Sequence, residues 1–212
     1  MIYEVRTYDI KPRNIPEVEK RFGEAYEKRK AYSELAAFFH TEIGPLNQII
    51  HIWPYKDLEE RAKIRAAAVK DKVWPPNTGE FITKMQSDIF IPFDFAPPFP
   101  KGKLGPFFEW RTYTYLPGQL PVILDTWKNA LDVRLQFGPV VALWYSELGG
   151  LNKFVHVWPY ASLNERMETR NKAHATGMWP PGAKAQKEGR KGYELSLQEN
   201  KIVMPSSFSP LQ

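Results

Sequence analysis

His51-Ile52-Trp53-Pro54-Tyr55 occurs a second time as His156-Val157-Trp158-Pro159-Tyr160, 105 positions later. With no gap, the same offset carries Tyr3-Glu4-Val5-Arg6-Thr7-Tyr8 onto Phe108-Glu109-Trp110-Arg111-Thr112-Tyr113. It also carries Glu42-Ile43-Gly44-Pro45-Leu46-Asn47 onto Glu147-Leu148-Gly149-Gly150-Leu151-Asn152, and Trp74-Pro75-Pro76 onto Trp179-Pro180-Pro181. One unit has been used twice, and 212 residues divide into two small cores rather than one large one.

Within each unit the pattern alternates between period two and period 3.6. Ile2 to Tyr8 alternates and is rich in β-branched and aromatic residues, which predicts a strand. Pro16 suits the first position of a helix, where a missing N–H costs nothing. Val18, Phe22, Ala25, Tyr26 and Arg29 then share one helical face, matched by Ile123, Trp127, Ala130, Leu131 and Arg134. Leu35 to Ile43 and Gln48 to Trp53 are two strands about Gly44-Pro45, with Gly149-Gly150 in the second copy. Pro54 cannot donate to a ladder, so the third strand is expected to stop there.

A second helix runs from Leu58 to about Lys72 and is closed by Trp74-Pro75-Pro76. Ser87 to Ile91 is a short last strand, matched by Glu194 to Val203. The order β-α-β-β-α-β is the ferredoxin-like arrangement, an α+β fold with two helices on one face of a four-stranded sheet. The expected division is a first unit at 1–91, a proline- and phenylalanine-rich linker at 92–106, and a second unit with a C-terminal tail at 107–212.

Strand alternation sorts side chains into two faces. Val5, Ile50 and Ile52 form a plain apolar set, which the helices are expected to cover. Glu4, Arg6, Tyr8, His51 and Trp53 then share the open face, with Glu42 beside them. The second copy repeats this with Glu109, Arg111, Tyr113, Glu147, His156 and Trp158. Such aromatic faces should not lie bare in water. Packing them together, within one chain or between two copies, gives a barrel with these residues around a cavity between the sheets.

These residues carry a resemblance. Tyr-Glu-x-Arg-Thr-Tyr at the first strand, His-x-Trp-Pro-Tyr at the third, and the arginine-bearing helix that follows resemble the NIPSNAP family. The closing Pro205-Ser206-Ser207-Phe208-Ser209-Pro210 is similar to the end of its longer members. The resemblance covers nearly the whole chain and implies the dimeric α/β-barrel superfamily, which includes cofactor-free monooxygenases, haem enzymes and EthD-like degradative proteins. The family itself implies no agreed reaction. Its animal members are linked to mitochondria and to vesicle or autophagy processes. This sequence shows no targeting leader before Ile2, and those roles are not carried over.

Each candidate side chain has a plain use and a sharper one. His51 and His156 titrate near neutrality and are candidate acid–base groups, oriented by Glu4 and Glu109. The plainer use is an interior histidine held by the same glutamates. Arg6 and Arg111, with Tyr8, Tyr113, Trp53 and Trp158, would bind a small-molecule ligand. Otherwise Glu4–Arg6 and Glu109–Arg111 are buried ion pairs that set register. Arg61 and Arg65 recur as Arg166 and Arg170, one turn apart. They either grip an anion or tie their helix to a glutamate such as Glu42 or Glu147. Trp74 and Trp179 are expected to plug the core ends.

Two function classes follow: a small-molecule binding protein or cofactor-free enzyme using the inter-sheet cavity, and a non-catalytic assembly protein using the same face as an interface. A filled void favours the second.

Composition narrows the classes further. Hydrophobic content of 43% and charged content of 25% are ordinary for a globular protein. With no cysteine there is no disulfide, thiolate chemistry or cysteine-bound metal. No helical His pair or His–carboxylate motif marks a metal site, and no cofactor is expected. The charge of +5 is mostly interleaved, as in Glu17-Val18-Glu19-Lys20-Arg21, and even the basic run Lys184–Lys191 suits a solvated helix end. The expected setting is therefore cytoplasmic, as a homo-oligomer, with no nucleic-acid partner and no membrane span.

Overall fold

The computed structural model describes residues 1–212. The first repeat contains β1 (Ile2–Ile10), α1 (Ile15–Arg29), β2 (Ala37–Ile43), β3 (Gln48–Tyr55), α2 (Leu58–Lys70) and β4 (Ile82–Pro92). The second contains β5 (Phe107–Tyr115), α3 (Leu120–Leu135), β6 (Ala142–Leu148), β7 (Lys153–Tyr160), α4 (Leu163–Ala175), α5 (Pro181–Lys187) and β8 (Leu195–Pro205). Local signals account for the helix starts. Pro16 and Pro121 lie in the first turns of α1 and α3. The Asp57 and Ser162 side chains accept from the N–H of Glu60 and Glu165, capping α2 and α4.

The strands close into one barrel in the order β1-β3-β2-β8-β5-β7-β6-β4. Inside each repeat the outer strands are β4 and β2, or β8 and β6. Each outer strand pairs antiparallel with an outer strand of the other repeat. Phe39 to Thr41 lie opposite Pro205 to Val203, and Phe90 to Pro92 opposite Ser146 to Trp144. Closure leaves no open sheet edge, which removes the usual template for aggregation. The two units thus make within one chain the architecture otherwise built from two copies.

The two sheet faces are the reverse of the sequence-based expectation. Val5, Ile50 and Ile52 point into the barrel, where they meet Trp110, Val155 and Val157 from the other repeat. Tyr3 stacks on Trp144 there, ring centroids 4.5 Å apart. Tyr8, His51 and Trp53 instead lie beneath the helices, against Phe22, Tyr26 and Trp74. Both faces are apolar enough to be buried, so hydrophobicity alone could not choose between them. The polar residues decide it: α2 brings Arg61 and Arg65 over the sheet, and only the face bearing Glu4 can receive them.

Other departures are local. β3 continues through Pro54, because its ladder with β2 has ended at Ile52 and only β1 remains beside it. Up to α4 the repeats keep their offset of 105, but β8 follows β4 by 113. The extra eight residues build α5 and the loop carrying Tyr193, which have no counterpart in the first repeat.

The segment 92–106 is part of the core rather than a spacer. Phe93 is 2% exposed and packs into the second repeat, while Phe99 and Leu104 pack against the barrel interior. At the new offset Phe95 corresponds to Phe208 of the C-terminal tail. Phe95 packs against the second repeat's helix-side core, and Phe208 against the first repeat's.

Candidate functional site

All ten predicted residues come together, five in each repeat, between the sheet and its own helices. Glu4 sits on β1 with no solvent exposure. Its Oε1 accepts from Arg6 Nη1 at 2.8 Å, Arg61 Nη2 at 2.6 Å and Ser87 Oγ at 2.8 Å. Arg65 Nη1 stands 3.7 Å from Oε2. Glu109 repeats this on β5 with Arg111, Arg166 and Arg170. The helix arginines therefore seek Glu4 and Glu109. Glu42 and Glu147, the glutamates expected from sequence, lie exposed. Burial alone would raise the Glu4 carboxyl, but hydrogen bonds from Arg61 and Arg6 and the charge of Arg65 outweigh it and hold it at about 2. Glu109 is lowered likewise, burial being outweighed by Arg166, Arg111 and Arg170.

Neither histidine is held by a glutamate. His51 Nδ1 accepts from Trp53 Nε1, and His156 Nδ1 from Trp158 Nε1, both at 2.7 Å. An indole N–H only donates, so the neutral imidazole must carry its proton on Nε2. Burial depresses both histidines well below their ordinary pKa, and the Arg6 and Arg111 guanidiniums push the same way. Both rings are thus neutral at pH 7, and each Nε2–H is buried without a partner.

Arg29 and Arg134, which the sequence places only within a helix stripe, belong to the same constellation. An arginine inside an apolar stripe, repeated in both copies, was the available signal. Each guanidinium lies over the indole of Trp53 or Trp158, at 4.5 and 4.2 Å. Each also donates to a tyrosine hydroxyl, Tyr55 at 3.4 Å and Tyr160 at 3.0 Å.

Here the repeats diverge. In the first, Arg29 Nη1 also donates to Ser33 Oγ at 2.9 Å, and Phe208 packs on Gly23, Tyr26 and Phe38 to cover the site. In the second, Gly138 replaces Ser33, and Arg134 Nη1 is buried with no partner. A cavity of about 350 Å³ opens beside it. All five second-repeat candidates line this cavity, and Arg134, Arg170, Trp127 and Tyr193 complete its polar and aromatic wall. Its three arginines outnumber its one carboxylate, Glu109, which Arg111 and Arg170 already face, and His156 Nε2–H and Arg134 Nη1 remain free to donate.

The NIPSNAP family model matches residues 3–97 and 108–210. The NipSnap homolog 3A of Homo sapiens is 30% identical over 222 residues, which cover 100% of this chain and 86% of that protein. NipSnap of Drosophila melanogaster is 25% identical, with 100% and 79% covered. A solved structure described as a putative monooxygenase from Fusobacterium nucleatum superposes with a TM-score of 0.62 over 97% of this chain and 92% of that one. At 10% identity it establishes a shared fold alone.

Proposed function

This chain belongs to the NIPSNAP family, and we propose that it binds a small aromatic anion, a carboxylate or phenolate, in the second repeat's helix-side cavity. The observation that carries this reading is the pair of unpartnered buried donors, Arg134 Nη1 and His156 Nε2–H, facing a space of about 350 Å³. A buried guanidinium with no counter-charge and one nitrogen without an acceptor is costly, and an anion would satisfy both. The indoles of Trp127, Trp158 and Trp179 supply the apolar body such a pocket needs. The same donors would favour the ionised form of a bound phenol or enol, so His156 is the group to test for acid–base work. Glu109 orients the arginines rather than the histidine.

In the first repeat Glu4, Arg6, Tyr8, His51 and Trp53 make the corresponding constellation, closed over by Phe208, and its role in the proposal is structural. That face lies buried beneath the helices, so an assembly role would have to use a different surface. The barrel closes without a second copy, so self-association is a separate part of the proposal, as are the cytoplasmic setting and the division into units 1–91 and 107–212. Light scattering, cell fractionation and expression of each unit alone test these. No helix is long and apolar enough to cross a membrane.

The binding test is a tryptophan-fluorescence titration with 1-naphthoate against neutral 1-naphthamide. Saturable quenching by the carboxylate only is expected, and Arg134→Met should weaken it roughly 10- to 100-fold, the worth of a charged hydrogen bond. Equal responses to the acid and the amide would remove the anion from this reading.

A further inference from the structure

A second cavity, of about 210 Å³, lies at one end of the barrel interior, on the opposite side of the sheet from the site above. Its walls come from both repeats, and the repeats supply different chemistry. Asp88 of β4 corresponds to Lys201 of β8, Gln86 to Glu199, and Gln48 to Lys153. Asp88 is engaged: it accepts from Gln86 Nε2 at 2.6 Å and from the Gly150 N–H at 2.9 Å.

Lys201 is not engaged in the same way. Its neighbour across the ladder is Trp110, whose ring lies 5.8 Å from Nζ, and no carboxylate lies within ion-pair distance. Its one hydrogen bond is long, to Gln48 Oε1 at 3.4 Å. Gly44, at φ +113°, lies against its stem, and any Cβ there would come within 2.9 Å of Lys201 Cβ. The turn thus covers the stem and leaves the amine to the cavity.

We propose that Lys201 is a nucleophilic amine that condenses with a small aldehyde or ketone admitted to the barrel mouth. The neutral amine attacks the carbonyl carbon and forms the C–N bond. The proton leaving nitrogen and a second proton convert the carbonyl oxygen to water, which departs to leave a protonated imine. Glu199, which lines the cavity and whose charge acts on the amine, is the carboxylate available for these proton transfers, with solvent at the barrel mouth. Burial lowers the amine to about 8, against smaller opposing effects from Glu199 and Asp9. The nucleophilic form at neutral pH is thereby enriched on the order of a hundredfold over an ordinary lysine.

The test is reductive trapping of the full chain with butanal and cyanoborohydride, followed by peptide mapping. Lys63, with a side chain 75% exposed, serves as internal reference. At pH 7, Lys201 is expected to be alkylated at least tenfold faster than Lys63, with a rate rising through a midpoint near 8. Lys201→Arg should remove that product alone. Because the wild-type map needs no variant, a misfolded Lys201→Arg would leave the result intact. Labelling of Lys201 no faster than Lys63, or with the same pH profile, would overturn the proposal. Saturating 1-naphthoate should leave the labelling unchanged, so the two cavities succeed or fail separately.

Discussion

Glu4→Ala is expected to lower unfolding free energy by about 3–5 kcal/mol, the usual cost of stranding the partners of a buried charge. The carboxylate is wholly buried, and Arg6, Arg61 and Ser87 all donate to one of its oxygens. Removing it leaves guanidiniums packed together beneath α2 with no counter-charge and little access to water. In a chain of this length that corresponds to a fall in Tm of about 6–20 °C. Glu109→Ala should cost less, because the adjoining cavity admits water or an anion to the stranded arginines. Arg65→Ala should cost under about 1 kcal/mol, since its contact is long at 3.7 Å and the side chain is 31% exposed. Chemical denaturation of the three variants provides the comparison. A loss below about 1 kcal/mol for Glu4→Ala would show that the cluster is not the support described.

Much of this fold was legible because it is written twice. The ungapped offset from β1 to α4, two turns at matched places and the βαββαβ order define both units. The polarity of the sheet was harder to read. In β3, Ile49, Ile50 and Ile52 are all fully buried or nearly so, and a strand buried on both faces gives no alternation to orient it. The information lay in α2, where Ala68 is the only buried residue. A helix so poor in apolar residues, carrying Arg61 and Arg65 inward, requires a polar surface beneath it. Pairing those arginines with Glu4 would have placed the site correctly.

The asymmetry of the site was less accessible still. Ser33 and Gly138 stand in loops whose alignment says nothing of a guanidinium nearby. The closing of one site by Phe208 depends on a tail that crosses to the other repeat after β8. These are tertiary facts, and no periodicity encodes them. The linker shows the same limit: proline-rich composition predicts an extended segment but not that Phe93 and Phe99 fill core positions.

Lowering the pH from 7 towards 5 is expected to lower stability through two buried histidines, ahead of the loss carried by Glu4 and Glu109. His51 and His156 have folded pKa values well below their ordinary range, chiefly through burial and then through the neighbouring arginines. Below about 6.5 the unfolded chain takes up two protons at these positions that the folded chain resists, so stability falls as pH falls, each histidine contributing at most roughly 1 kcal/mol per pH unit. His40 acts in the opposite sense: Glu19, at 2.7 Å, raises it, so its stabilisation is present at low pH and lost on the alkaline side. It is part-exposed and offsets only a fraction of the loss. His174 is lowered too but exposed, and adds little. Glu4 and Glu109 contribute fully above their unfolded pKa near 4.3, and that share is lost only on further acidification towards the folded value of about 2 for Glu4. Urea unfolding at half-unit intervals should therefore show one steep decline between pH 6.5 and 5 and a second below about 4.5. In His51→Asn/His156→Asn, whose amide oxygens can still accept from Trp53 and Trp158, the first decline should vanish even if the plateau is lower. A wild-type stability that stays level from pH 7 to 5 would mean these rings take up protons in the folded state. The neutral Nε2–H donor in the second-repeat cavity would then be an imidazolium.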